Sequence, residues 1–340
     1  MNIKEIIKQY RNMERPSSKE DALPVVSLGN MLHKLSISPE GFPCFFVATN
    51  ITSSSSQNII REILSVEYNI GCTISKEDGS KEENVFTRIT LRSIEHALQD
   101  YFIEIVAMML EKFPKEPTCH EVSVEVENLI SIFSALNNPP RKKIQGLWTE
   151  LLVIDQSTFP STLISAWHGD PSAKYDFTLG RDKIEVKSTS GEKREHHFSY
   201  DQLNPSTHSR LLIASAIVRE SGENENGLSV YDLYQKIHTR VHNTTWRLKL
   251  YKVMAETIGS DIVKLKDLHF DYVQAVDSLK FFDALKVPHI NKDGIPPHVS
   301  QVKFASDLSD IEDVLSEDSD FDYSKSPLYK SLLTPKNEEL

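Results

Sequence analysis

The residues Leu211–Val218 form the longest apolar stretch of the chain, and only Ser215 interrupts it. This stretch is far too short for a helix that crosses a bilayer, which needs about 20 residues. Its length is that of a β-strand. A nearly continuous apolar run is typical of a strand buried on both faces. We therefore expect Leu211–Val218 to be a core strand, with the rest of the fold arranged around it.

The composition indicates an ordinary globular chain. Of its 340 residues 39% are hydrophobic and 26% charged, which is enough for two or three packed units. The N-terminal residues mix charged and apolar side chains at helical spacing, so no signal peptide is predicted. Three widely spaced cysteines, Cys44, Cys72 and Cys119, predict neither a disulfide framework nor a zinc site. We expect a cytoplasmic protein with no membrane-spanning segment.

The formal net charge of -11 argues at first against a nucleic-acid partner, but the charge is unevenly distributed. Eight acidic residues and no Lys or Arg lie between Asp307 and Asp322, so the remainder carries only -3. The stretch Lys236–Lys252 contains no acid and predicts a face that contacts a phosphate backbone. The alternative is a solvated helix face whose counter-charges lie elsewhere in the fold. The candidate DNA-binding residues are Lys236, Arg240, Arg247, Lys249 and Lys252.

The paired prolines Pro139 and Pro140 end a helix and mark a domain boundary. The predicted organisation is an N-terminal α/β domain (1–138), a central core (139–220), a helical and strand extension packed on that core (221–306), and an acidic, disordered tail (307–340). In the extension we expect helices over Ser229–Val241 and Trp246–Ile258, and strand-like structure over Tyr272–Ala284.

The central core begins with a helix and continues with short strands. Apolar residues from Ile144 to Leu152 recur at helical spacing, and this helix carries Glu150. Three β-like runs follow, and the last two are joined by the hairpin-length turn Gly180–Asp182. The predicted strands are Thr162–His168, Lys174–Leu179 and Lys183–Thr189. A short polar connector then leads to the core strand.

Asp176, Glu185 and Lys187 are the candidate catalytic residues. Side chains alternate along a strand, so Glu185 and Lys187 share a face, and the hairpin brings Asp176 beside Glu185. Two carboxylates at this separation suit one Mg²⁺ ion, and a neighbouring lysine can orient a water and stabilise negative charge on a phosphate. The less specific interpretation is an ion pair between strands on a solvated sheet face.

Two further residues are candidates for the same site. Glu150 lies on a buried helix and needs a partner such as Lys187 or a metal-bound water, so it is a candidate acidic ligand or orienting residue. Gln202 follows the strands and is a possible contact for a phosphate or a water. No nucleophile elbow and no phosphate-cradling glycine loop is present in the sequence.

The segments Gly146–Leu151, Tyr175–Phe177, Ile184–Thr189 and Gln202–Leu203 together resemble the PD-(D/E)XK nuclease superfamily, which has the restriction-endonuclease-like fold. More narrowly, the chain resembles an uncharacterised bacterial family of PD-(D/E)XK motif proteins, through Val287–Pro288 and as far as Val302–Phe304. Tyr175 stands where the superfamily's name has proline.

This resemblance implies a mixed sheet flanked by helices in αβββαβ order, Mg²⁺ dependence and DNA cleavage, and Mn²⁺ is expected to substitute. It assigns Asp176 and Glu185 as metal ligands, Lys187 as the catalytic lysine and Glu150 as the helix-borne acid. It also implies work in a phage-defence or restriction-like system beside an ATPase and a methyltransferase.

Two functional hypotheses remain open from the sequence. The first is a DNA endonuclease, for which cleavage of both strands favours a homodimer. The second is a catalytically silent subunit that keeps the fold for DNA binding or assembly. The overall acidity favours a partner that supplies affinity for DNA in either case.

Overall fold

The structure is a computed structural model, and it divides into two units, Met1–Asn137 and Asn138–Leu340. No helix among the described residues is long and apolar enough to cross a membrane. The described residues are 3–18, 21–28, 32–50, 57–75, 80–170, 172–206, 208–222, 226–316, 322–323 and 325–332.

In the part of the first unit that the structure describes, an antiparallel sheet packs with three helices. Its strands are β1 (Val25–Ser27), β2 (Lys34–Ile37), β3 (Pro43–Ala48), β4 (Ile59–Ile60), β5 (Leu64–Ser75) and β6 (Lys81–Leu91), in the spatial order β1-β2-β3-β6-β5-β4. Its helices are α1 (Ile3–Arg11), α2 (His96–Leu110) and α3 (Cys119–Ala135).

Aromatic contacts join these helices to the sheet. The rings of Phe45 on β3 and Phe102 on α2 meet edge-on, with their centroids 5.6 Å apart. Phe102 meets Phe133 of α3 in the same way at 5.7 Å. All three side chains are buried, so this row of rings forms part of the core of the first unit.

The second unit contains the residues predicted to carry the chemistry. Its helices are α4 (Ile144–Gln156), α5 (Pro160–Ala166), α6 (Tyr200–Leu203), α7 (Val230–Arg240), α8 (Thr244–Ile258), α9 (Tyr272–Ser278) and α10 (Pro327–Lys330). Its strands are β7 (Phe177–Leu179), β8 (Asp182–Thr189), β9 (Glu195–Ser199), β10 (Arg210–Ile217), β11 (Glu220–Ser221), β12 (Gly227–Ser229), β13 (His269–Asp271), β14 (Lys280–Asp283) and β15 (Lys303–Asp307). Short 3-10 helices span Gly259–Lys264, Ala284–Lys286 and Lys292–Gly294.

A mixed four-stranded sheet lies at the centre of the second unit, in the order β14-β10-β8-β7. Strands β8 and β10 run parallel, from Asp182 beside Arg210 to Thr189 beside Ile217. The outer pairs are antiparallel. The apolar run is thus the inner strand β10, and its side chains from Leu211 to Ala216 are buried. The predicted mixed sheet and the α+β class are confirmed.

The elements α4, β7, β8, β9, α6 and β10 follow the αβββαβ order that the resemblance implies, with helix α5 inserted after α4. Strand β9 takes the place of a predicted strand that is helical, and it does not join the four-stranded sheet. Both edges of β8 are already occupied, by β7 and by β10. Strand β9 instead pairs with β15, and its Phe198 packs in one cluster with Ile213 of β10. Only the four-residue helix α6 fits between β9 and β10, as the short connector in the sequence predicts.

Two segments predicted as strands are helical. Residues 162–166 belong to α5, because Pro160 at the first helical position presets the backbone and Leu163 and Ile164 are buried. Residues 272–278 form α9, which begins where the Asp271 side chain accepts a 3.0 Å hydrogen bond from Gln274 N–H. In both segments the packing and the helix start outweigh the strand-like pattern of the sequence.

The expectation of a disordered tail from residue 307 is wrong for the parts of it that the structure describes. Leu308 and Val314 are buried in the second unit. Helix α10 buries Leu328 and Tyr329, and the Tyr329 hydroxyl lies 2.9 Å from the Arg210 carbonyl oxygen. Apolar side chains between the acids therefore hold this segment in the core. Residues 317–321, 324 and 333–340 lie outside the described residues.

Candidate active site

The hairpin of β7 and β8 places Asp176 against the strand that carries Glu185. Gly180 has a φ of +60° in the turn, a conformation that glycine adopts without steric cost. The resulting register pairs Phe177 with Ile184. Just before this pair, Oδ2 of Asp176 accepts a 2.7 Å hydrogen bond from the backbone N–H of Val186. The aspartate is therefore fixed to the backbone of β8.

Glu185 and Lys187 lie on one side of β8, as the alternation of side chains predicts. The Lys187 Nζ atom is 2.8 Å from Oε1 of Glu185, and it lies 5.1 Å from the centre of the Phe198 ring. On the other face, Ser188 accepts a 3.2 Å hydrogen bond from Gln145 of α4. The alternation along β8 thus puts Glu185 and Lys187 on one side of the strand and Ser188 on the other.

Gln202 contacts both Glu185 and Lys187. Its side-chain amide donates a hydrogen bond to Oε1 of Glu185, and its Oε1 lies 3.4 Å from Nζ of Lys187. Gln202 is held by a capping box at the start of α6, in which its Oε1 also accepts from Ser199 N–H at 3.1 Å. The predicted candidate therefore does reach the other site residues, and its contacts are with their side chains.

Glu150 is buried on α4, with a side chain that is only 3% exposed. Lys187 or a metal-bound water was the partner predicted from the sequence, but the protein partners of Glu150 are different. Its Oε1 is 2.6 Å from Nζ of Lys142, and its Oε2 accepts a 2.7 Å hydrogen bond from the Trp167 indole N–H. Trp167 is buried and stacks on Phe177.

Lys142 is the site residue that the sequence analysis missed. Its ammonium group contacts Oε1 of Glu150 and also Oδ1 of Asp176, so it joins the helix-borne acid to the hairpin. Lys142 lies in the basic run Arg141–Lys143 directly before α4. The only signal in the sequence is a lysine eight residues ahead of a buried glutamate, and that pattern is too common to identify a site.

The carboxylates of the site act on one another. Burial, and next the charge of Asp176, raise the pKa of Glu150 to about 7, against the opposing effect of Lys142. The same two causes raise the pKa of Glu185 to about 8, against the effect of Lys187. Burial alone would lower the pKa of Lys142, but the two carboxylates it contacts raise it above its ordinary value. Burial and the mutual repulsion of the carboxylates therefore disfavour their ionised forms unless cations lie beside them.

A cleft of about 250 Å³ opens beside Asp176. Arg141, Lys142 and His168 lie on its walls, together with Tyr175. The lining also includes the carboxylates of Asp170 and Asp176, so acidic and basic side chains face each other across this cleft. Arg141 is a basic group on the wall that could contact a phosphate beside the carboxylates of the site.

A family model described as "Putative PD-(D/E)XK family member, (DUF4420)" matches residues 6–309. The matched span contains every site residue described above. The chain belongs to this family. No match was found among the curated proteins or among the solved structures. The PD-(D/E)XK assignment agrees with the αβββαβ element order and with the mixed sheet of the second unit.

The PD-(D/E)XK superfamily implies a divalent metal, and the donor set of this site fits one. Mg²⁺ usually takes one or two protein carboxylates and completes its shell with water and phosphate oxygens. Asp176 and Glu185 supply two hard carboxylate donors. Among the described residues, no group of three or more His, Cys, Asp or Glu side chains is arranged to hold a metal. The site therefore fits an ion shared with substrate and water, not a closed cage of protein ligands.

The predicted DNA-binding residues of this PD-(D/E)XK protein have partners inside the second unit. The Lys236 ammonium is 3.3 Å from Asp155 Oδ2 and lies over the Tyr272 ring. The Arg240 guanidinium donates to the carbonyl oxygens of Asp155 and Ser157.

The other three basic residues also have internal contacts. Arg247 donates to the Val241 carbonyl oxygen, and Lys249 donates to that of Ser165 at 2.6 Å. Lys252 is 4.0 Å from Glu256. Lys236 and Arg240, whose counter-charge is Asp155 on α4, match the alternative interpretation of a helix face paired elsewhere in the fold. Arg247 and Lys249 contact backbone oxygens instead. A role of this face in DNA binding stays a prediction.

Proposed function

We propose that the chain is an Mg²⁺-dependent endonuclease that hydrolyses phosphodiester bonds of DNA. The observation that carries this proposal is the convergence of Asp176, Glu185 and Lys187 within one hairpin. The two acids are buried, and the lysine is 2.8 Å from Glu185. Membership of the PD-(D/E)XK family supports the same chemistry.

Each residue of the candidate site has a distinct role in this proposal. Asp176 and Glu185 would hold the metal ion, which, when bound, supplies positive charge to the scissile phosphate and acidifies a water. Lys187 orients the attacking water and stabilises the negative charge that develops on the phosphate oxygens. Gln202 positions Lys187 and Glu185 through its contacts with both. Glu150 holds Lys142 beside Asp176.

The cleft beside Asp176 carries groups that can contact a substrate with several phosphates. The side chains of Arg141 and His168 on its walls can contact backbone phosphates on either side of the scissile one. Because the chain is acidic overall, affinity for DNA is expected to be weak in isolation and to fall steeply with salt.

We also propose that the protein works with other proteins of a bacterial phage-defence or restriction-like system, including an ATPase and a methyltransferase. The support is the family resemblance and the expected weak binding to DNA. A homodimer would place two such sites on opposite strands of a duplex. Mn²⁺ is expected to replace Mg²⁺, because it takes the same oxygen ligands.

The test is a nicking assay on supercoiled plasmid at low salt, with Mg²⁺, Mn²⁺ or EDTA. Wild type is compared with Lys187→Ala and with Lys193→Ala, which changes an exposed lysine of the same unit. Nicking that needs metal, survives in Lys193→Ala and disappears in Lys187→Ala supports the proposal. If neither wild type nor its complex with the neighbouring gene products cuts DNA, the second hypothesis, a catalytically silent subunit, replaces it.

A further inference from the structure

Lys142 occupies a position that would suit a metal ion in a site of this kind. Its ammonium nitrogen lies between two carboxylates from different elements, Oε1 of Glu150 on α4 and Oδ1 of Asp176 before β7. Both carboxylates are buried, and their side chains are 3% and 9% exposed. A pair of buried carboxylates facing each other is unfavourable unless a cation lies between them. In this structure the chain supplies that cation itself.

Each of the two acids also accepts a hydrogen bond at its second oxygen. The second oxygen of Glu150 accepts from the Trp167 indole, and the second oxygen of Asp176 accepts from Val186 N–H. These donors are a buried indole and a strand amide, so neither can move away without disrupting the core or the sheet. The ammonium group is different, because it reaches the site on a flexible side chain that is 41% exposed.

The charge balance of the centre also favours a single divalent ion. Glu150, Asp176 and Glu185 contribute three negative charges when ionised, and Lys142 and Lys187 contribute two positive charges. One divalent ion at Asp176 and Glu185 would bring the centre to one net positive charge. A second divalent ion would add two more positive charges beside two ammonium groups, which is electrostatically unfavourable.

We propose that Lys142 takes the place of a second divalent cation, so that this centre binds one metal ion per chain. The inference rests on the proposed metal-dependent function for its first ion. It adds that the ammonium group of Lys142 fills the position between Glu150 and Asp176 permanently. Lys142 is a positioning residue in this scheme, because it acts through the two carboxylates.

Metal uptake by the full chain, without DNA, tests this inference independently of cleavage. Metal-stripped protein is titrated with Mn²⁺, and the free ion is counted by its electron paramagnetic resonance signal. Wild type is expected to take up one ion. Lys142→Met is expected to take up two, because it leaves Glu150 and Asp176 facing each other without a cation. Lys143→Met, which changes the adjacent N-cap residue of α4, is the matched control and is expected to behave as wild type.

Thermal unfolding gives a second readout. Without metal, Lys142→Met is expected to melt roughly 5–15 °C below wild type, because a buried ion-pair partner is lost. Mn²⁺ is expected to restore most of the lost melting temperature of Lys142→Met. This increase should be larger than the one that Mn²⁺ causes in wild type. Adding Glu150→Gln to Lys142→Met removes one carboxylate, so the double variant is expected to melt closer to wild type without metal and to take up one ion.

The outcomes separate this inference from the proposed function. Uptake of two ions by wild type, or of one ion by both wild type and Lys142→Met, overturns the role of Lys142 and leaves a metal-dependent nuclease in place. Uptake of none by either chain overturns both. If Lys142→Met folds only with Mn²⁺ present, the metal has replaced the ammonium group and the inference is supported. If Lys142→Met stays unfolded with Mn²⁺, the number of bound ions is measured for Lys142→Gln instead, because glutamine keeps a hydrogen-bond donor.

Discussion

The backbone N–H of Val186 donates a 2.7 Å hydrogen bond to Oδ2 of Asp176. This bond ties the aspartate to β8, the strand that carries Glu185 and Lys187 on either side of Val186. One side of the site is therefore positioned by sheet geometry. The other side, Glu150 and Lys142, comes from α4 and from the segment before it.

Asp176→Asn separates the charge of this residue from its structural role. Asparagine keeps an oxygen that can accept from Val186 N–H, so the fold is expected to persist by circular dichroism. Metal-dependent nicking is expected to fall by at least about a hundredfold, because a charged ligand is lost. Asp310→Asn, a change at an exposed acid of the same unit, is the control. Full activity in Asp176→Asn would contradict the assignment of this ligand.

Trp167→Phe removes the indole N–H that donates to Glu150 and keeps an aromatic ring on Phe177. The carboxylate oxygen is buried and would lose its donor, so the free energy of unfolding is expected to drop by about 1–3 kcal/mol. Urea unfolding, followed by circular dichroism, measures the loss. In a Glu150→Gln background, Trp167→Phe should lower the free energy of unfolding by less. An equal loss in both backgrounds would show that Trp167 and Glu150 do not interact energetically.

The stability of the second unit is expected to fall as the pH drops, in part through His196. Burial, and then the charges of Lys187 and Arg194, lower its pKa to about 4, while Asp307 acts in the opposite direction. The unfolded chain therefore takes up this proton first. The contribution of neutral His196 to the free energy of unfolding is fully present above about pH 6.5. It is lost as the pH falls from there to about 4, and the loss is at most about 3 kcal/mol.

The control for this pH dependence is His196→Gln, which can still hydrogen-bond to Ser215 but does not titrate. Its free energy of unfolding should fall less steeply between pH 6.5 and 4 than that of wild type. Identical slopes in the two chains would show that His196 does not contribute.

Tyr329→Phe is expected to destabilise the second unit by about 1–3 kcal/mol, because its hydroxyl serves buried backbone groups at the start of two strands. That hydroxyl lies 2.9 Å from the Arg210 carbonyl oxygen and 3.2 Å from that of Lys183. Thermal unfolding of this variant is compared with Tyr323→Phe, a change in the same C-terminal segment. A melting temperature equal in both variants and in wild type would mean that α10 does not stabilise the sheet.

Arg240→Ala and Lys252→Ala should separate structural from DNA-binding roles on the basic helices. Arg240 donates to two backbone carbonyls, so its loss is expected to lower stability by about 1–3 kcal/mol. Lys252 has only a 4.0 Å contact with Glu256, so its loss is expected to leave stability within about 0.5 kcal/mol. If the face binds DNA, only Lys252→Ala should lower affinity without lowering the melting temperature. Filter binding at several salt concentrations measures that affinity.

Much of the site could be predicted because it is local. The adjacency of Asp176, Glu185 and Lys187 depends on the alternation of a strand and on one short turn, and both can be recognised in the sequence. Gln202 was predicted only as a weak candidate, and its contacts depend on a four-residue helix that the sequence marks by the Ser199 capping box. The strand prediction failed for residues 162–166, where strand-like residues lie in a helix that tertiary packing stabilises.

The sequence by itself determined the buried central strand, the hairpin with its acids and lysine, and the family to which the chain belongs. Only the tertiary structure decided which charges meet. Lys142 is 34 residues from Asp176 and eight from Glu150, and it contacts both because α4 and the hairpin pack together. Lys236 and Arg240 likewise contact Asp155, which lies on α4. Periodicity encodes which residues share a face, whereas an ion pair between distant segments depends on how those faces are packed in three dimensions.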